Sequence, residues 1–166
     1  MNVLEHKNLT ITSNHGFYSL PEWFRNSKTS DATIYMEMKY KTLHWIGGIW
    51  HGGSWCGGRW HDGKWEKGIW FDGTWFDGTW LHGTWYDGWW GNGTWCNGTF
   101  GAGTWKNGIW ANGLWKDGYW EYNRYKKSTW EKGVWIKGVC EVWMNGKYDD
   151  KQCLGFDAEN RPIVIT

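Results

Sequence analysis

Phe71-Asp72-Gly73-Thr74-Trp75-Phe76-Asp77-Gly78-Thr79-Trp80-Leu81-His82-Gly83-Thr84-Trp85 states one pentapeptide three times over. In the register Trp-x-(Asp/Asn)-Gly-x the unit extends from residue 45 to residue 140, which makes 20 units. Trp occupies every fifth position from Trp45 to Trp95. Phe100 substitutes once, Trp105 to Trp120 continue, Tyr125 substitutes again, and Trp130, Trp135 and Cys140 close the series. Gly stands two residues before nearly every one of these, with Asn123 and Ser128 as exceptions.

A helix would scatter these Trp around its circumference, and a Gly in every fifth position would cost it roughly 1 kcal/mol each. A hairpin meander suits the Asp-Gly and Asn-Gly pairs but leaves strands of about three residues, below the usual five or six. A coiled solenoid remains: a short x-Trp-x strand, then an (Asp/Asn)-Gly corner at which Gly supplies a positive φ. Strand alternation puts Trp on one side and its neighbours on the other. Those neighbours include Arg59, Lys64, Thr74, Thr84, Lys106, Lys116 and Glu131. Burying such charges is costly, so Trp points inward.

Composition agrees. The 166 residues include 20 Trp and 25 Gly, and few aliphatic residues are left to build an ordinary core. Each Trp can bury roughly 150–250 Å². The net charge of +1 argues against a large nucleic-acid-binding face. Met1 to Leu20 is polar, and no apolar run approaches a membrane span. The expected setting is cytoplasmic, with Cys56, Cys96, Cys140 and Cys153 as reduced thiols because no CxxC pairs them.

The small-x-large pattern of Gly73-Thr74-Trp75 and Gly108-Ile109-Trp110 resembles the pentapeptide-repeat proteins, with Gly and Trp in place of an Ala-like residue and Leu or Phe. The resemblance covers residues 45–140. It implies an all-β, right-handed quadrilateral β-helix of four units per coil and about five coils, with the small and central residues inside. Trp-Gly pentapeptides are also similar to uncharacterised proteins of large bacteriophages, which implies a virion location if the chain is a phage structural protein. Some pentapeptide-repeat relatives mimic DNA and bind topoisomerases, but those are strongly acidic and this chain is not.

Four units per coil place residues 20 apart on one face. Trp50, Trp70, Trp90 and Trp110 then form a core ladder, and Ile49, Ile69, Trp89 and Ile109, with Phe71, form an apolar outer stripe. Such a stripe is a contact surface, covered either by the N-terminal 44 residues or by a protein partner or second copy. Outward Phe71, Phe76 and Tyr86 could instead stack on sugar rings. Arg124, Lys126 and Lys127, where the repeat loses its glycine, are a candidate basic patch for phosphate or an acidic partner, against plain drift of the repeat.

The flanks differ in kind. A cap of residues 1–44 is expected to hold strands at Leu9–Thr12 and Ile34–His44 and a turn or short helix over Leu20–Arg25. Residues 141–166 are expected to hold one displaced unit, Trp143 to Tyr148, and a hairpin turning at Asp157–Pro162. No catalytic motif, cofactor site or metal site emerges. His51, Cys56 and His61 lie on different faces and cannot converge on zinc. The corner aspartates, such as Asp72 and Asp87, suit capping of their own backbone. Two functional classes follow: a non-enzymatic structural or protein-interaction module docking through its apolar face or its ends, or a binder of carbohydrate or small molecules. Neither a membrane nor a nucleic-acid partner is expected.

Overall fold

A computed structural model describes residues 6–12, 16–121, 128–144, 147–159 and 161–165, with the backbone alone at 142–144 and 147–149. The chain is a β-solenoid, as its repeat predicts. Its coil, however, holds three pentapeptides and not four. Trp45 pairs with Trp60, Trp60 with Trp75, and Trp75 with Trp90, always in parallel and in register. Residues 15 apart therefore stack. Five such turns lead from Trp45 to Trp120, and a last one, enlarged to 20 residues, ends where Trp120 pairs with Cys140.

The size of indole explains the triangle. In each layer three Trp meet edge to face: Trp60–Trp65, Trp65–Trp70 and Trp70–Trp75 have centroids 5.9–6.0 Å apart and interplanar angles of 71–72°. Between layers the rings lie flat on one another, as with Trp65 on Trp80 at 4.7 Å and 5°. Both arrangements suit the aromatic quadrupole. A fourth side would draw the rings away from the axis and leave a void at the centre, which close packing does not tolerate.

Two inter-coil hydrogen bonds hold each unit. The amide after Trp donates to the Trp carbonyl one coil back, as in Phe76 N to Trp60 O at 2.8 Å. The amide before Trp donates to the previous corner glycine, as in Thr79 N to Gly63 O at 2.9 Å. That stacking needs glycine. Gly63 has φ +124°, and a Cβ there would lie 2.6 Å from the Gly48 carbonyl below it. Corner side chains fix the turn: Asp72 Oδ1 accepts from Gly73 N at 2.6 Å, and Asn97 and His82 serve Gly98 and Gly83 likewise.

The N-terminal segment closes one end and leaves the sides uncovered. Strand β1 (His6–Lys7) and β2 (Thr10–Ile11) run parallel to β3 (Lys28–Glu37), which is antiparallel to β4 (Thr42–Gly52). Strand β4 carries Trp45 and Trp50 through the first corner, so β3 lies along the first edge of the rod. The strand expected over Ile34–His44 is thus broken: a turn at Lys41, φ +52°, separates buried Ile34 and Met36 from the exposed Met38 and Tyr40. Helix α1 (Glu22–Arg25), entered at Pro21, sets fully buried Phe24 against Trp45 and Trp50, and Trp23 edge-on to Trp55. These rings plug the bore.

Sixteen two-residue strands, β5 (Ser54–Trp55) through β20 (Val134–Trp135), line the three faces. The displaced unit expected at Trp143 is instead part of a hairpin. Strand β21 (Val139–Met144) turns back into β22 (Lys147–Phe156), which pairs with β23 (Pro162–Val164). Phe156 stacks on Trp130 at 5.2 Å and meets Trp120 and Trp135, plugging the second end. The fold-back also corrects the thiol assignment. Cys140 and Cys153, both buried, are disulfide-bonded with Cα atoms 5.5 Å apart, within the usual reach. Cys56 and Cys96 remain free and sit at different corners, not on one face.

Trp85→Ala is expected to destabilise the rod by about 3–5 kcal/mol in chemical denaturation. Trp85→Phe should cost less than about half of that, since Phe100 already occupies the next rung and the phenyl lacks an N–H without an acceptor. Denatured without reductant the chain should titrate two thiols, and with reductant four. Losing the Cys140–Cys153 bond should lower stability by about 3 kcal/mol for a loop of this length.

Candidate functional site

A 15-residue coil takes apart the expected apolar stripe. Ile49 and Ile109 share the second face, but Lys64, Thr79 and Thr94 stand between them. Ile69 is on the third face beside Ser54 and Thr84, and Trp89 is on the first beside Thr74 and Thr104. Phe71 is at the corner after the third face. The expected core ladder divides similarly. Trp50 and Trp110 belong to one column, Trp70 and Trp90 to two others, although all four are fully buried. Arg124, Lys126 and Lys127 lie outside the described residues.

The corners, not the faces, hold the outward chemistry. Residues just after each Trp stack every 15 positions. The first corner runs Ile46, His61, Phe76, Gly91, Lys106; the third runs Cys56, Phe71, Tyr86, Gly101, Lys116. His61 lies flat on Phe76 at 5.1 Å, and Phe71 on Tyr86 at 5.2 Å and 4°. These outer rings spend their flat faces on each other, so a sugar cannot lie on the ladder from the side. A polar ladder follows the same corner, with Asn92 Nδ2 donating to Asp77 Oδ2 and Asn107 Nδ2 to Asn92 Oδ1, each at 3.0 Å.

At the first corner His61 Nε2 lies 3.0 Å from His44 Nδ1, and His44 Nε2 lies 3.4 Å from Glu37 of the cap. Only one of the two facing nitrogens can carry a proton in that contact. Desolvation, then the neighbouring His44 and Arg59, hold the His61 imidazole below its ordinary 6.5. His51, one corner away, bridges Ser30 Oγ and Glu66 Oε2. The hydrogen bond from His51, then that from Lys64, keep the Glu66 carboxyl low. His51, Cys56 and His61 therefore stand at three separate corners, and no group of three metal-ligating side chains occurs among the described residues.

A groove on the first face runs between the third corner and the C-terminal hairpin, past Asp87, Thr104, Asp117, Tyr119 and Asp150. Tyr119 Oη donates to Asp150 Oδ1 at 2.8 Å, and burial, then this bond, push the phenol above its usual range. Lys137 Nζ lies 2.8 Å from Asp117. These contacts tie the last coil to the hairpin. No helix among the described residues is long and apolar enough to cross a membrane. No protein family, curated protein or solved structure matches the chain.

Sequence reading missed the plugs, Trp23, Phe24 and Phe156, because they fall outside the repeat and carry no period. It also missed the His44–His61 contact, which needs the 15-residue coil before residues 17 apart become neighbours.

Because the folded His61 binds its proton less readily than the unfolded chain does, protonation favours unfolding. Stability contributed by this contact is present above pH 6.5 and is lost as pH falls below it. Thermal midpoints measured across that range should fall for the wild type and fall less for His61→Phe. Equal slopes would place the acid sensitivity elsewhere.

Proposed function

We propose that this protein is a non-enzymatic interaction module, a stiff Trp-cored rod that docks protein through its C-terminal end, in the first instance a second copy of itself. The distribution of exposed aliphatic side chains carries the reading. Val134, Ile136 and Leu154 are 59%, 57% and 55% exposed, and Val139, Ile163 and Ile165 join them in the last coil and hairpin. Along the rest of the chain only Ile46, Ile69 and Ile109 are exposed aliphatics of this size among the described residues, and they are far apart. An apolar concentration of that kind is a contact surface. Strand β20 is also the terminal strand of its six-stranded parallel sheet, and a terminal strand offers its backbone to another chain. The opposite end is covered by β3 and the Phe24 plug, which favours one docking end over two. A stiff core keeps that end at a fixed distance from whatever holds the other.

Light scattering after size exclusion, run across a concentration series, tests this. The wild type is expected to associate, and Ile136→Lys/Leu154→Lys to remain a monomer with unchanged near-ultraviolet circular dichroism. A wild type that stays monomeric at all concentrations, or a double variant that still associates, removes self-docking by this end.

A further inference from the structure

The first and third corners repeat one arrangement: an aromatic ring, a glycine one coil on, and a lysine one coil beyond that. At the first corner these are Phe76, Gly91 and Lys106; at the third, Tyr86, Gly101 and Lys116. Both glycines draw the coils together in the same way. Gly91 N reaches Trp75 O, and Gly101 N reaches Trp85 O, at 2.6 Å, where the neighbouring coils have 2.8 Å. A Cβ on either would press on two carbonyls of the coil below, at 3.0 Å for Gly91 and at 2.8 and 3.0 Å for Gly101. Each glycine is thus a flat step in a ladder of side chains.

At the first corner the step is occupied. Trp89, two residues before Gly91, folds its indole across it, so that a Cβ on Gly91 would lie 2.7 Å from Trp89 Cζ3. The indole meets Phe76 edge to face at 6.0 Å, and the Lys106 ammonium stands 5.3 Å from its ring centroid. Gly91 is buried beneath it. At the third corner the residue equivalent to Trp89 is Thr99, too short to cross the step, and Gly101 is correspondingly half-exposed. Tyr86 beside it is 51% exposed.

We infer that the step formed by Tyr86, Gly101 and Lys116 is a binding site for a planar aromatic ring carrying an anionic group, of which Trp89 on Gly91 is the built-in counterpart. Tyr86 supplies an aromatic wall, Gly101 a floor without a side chain, and Lys116 a cation for the ring and its acid group. The site is independent of the C-terminal docking end, so either can fail without the other.

Indole-3-acetate is the probe, titrated into isotope-labelled protein and followed by the backbone amide shifts. Saturable shifts at Gly101 and its neighbours, with one site per chain, are expected for the wild type. Thr99→Trp should fill the step from within and abolish them. Trp89→Thr should empty the first corner and add a second, matching set of shifts at Gly91, doubling the number of sites. Intact circular dichroism keeps either variant interpretable. The inference is overturned if Thr99→Trp binds the probe as the wild type does, if Trp89→Thr gains no site at Gly91, or if methyl glucoside shifts Gly101 where the indole acid does not.

Discussion

Three indoles meeting edge to face across a bore of fixed width set every other dimension of this rod. The perimeter that encloses such a trio is three pentapeptides, so the coil is 15 residues long, and everything outside is spaced accordingly. Burying a Trp removes roughly 200 Å² from water, on the order of 5 kcal/mol at about 25 cal/mol/Å². Against that stands a recurrent defect. Thirteen buried indole N–H groups lack an acceptor, and each costs about 1–3 kcal/mol. Burial and stacking outweigh the defect at each rung, but not by a wide margin.

Trp90 shows how the defect is relieved. Its Nε1 donates to the Asn107 carbonyl at 3.2 Å, reaching the corner of the next coil. At the C-terminal end Trp135 Nε1 finds the Cys153 carbonyl of the hairpin at 3.0 Å. Elsewhere the nitrogen faces the same glycine corner without reaching it: a Cβ on Gly63 would sit 3.2 Å from Trp45 Nε1. The corner glycine therefore answers two demands, the backbone of the coil beneath and the indole edge beside it. This is a stricter requirement than the matching of a small residue to a large one.

Sequence alone made the solenoid and the inward Trp legible because both depend on a local period. The number of units per coil was not, because four and three units keep the same period of five and differ only in what the bore must hold. That single choice moved Ile69 and Trp89 off the face of Ile49 and dissolved the apolar stripe. It also brought His61 beside His44 and Phe71 onto Tyr86. The disulfide was equally hidden. Cys140 looked like a substituted core position, and only the turn from β21 into β22 brings Cys153 back to it.

The enlarged last turn shows how far local period and coil phase can separate. Trp110 stacks on Trp130, not on residue 125, at 5.0 Å and 4°, as flat as any pair in the rod. Trp115 on Trp135 is equally regular at 4.6 Å and 5°. Five extra residues have entered the coil without disturbing the columns on either side. In the sequence they are invisible, since Tyr125 falls where the period wants an aromatic residue. An insertion of any other length would have announced itself by breaking the spacing. One of five hides within the repeat, because what the core selects is the partner 15 residues back for most of the rod and 20 back at its end, and only the stacking of indoles distinguishes the two.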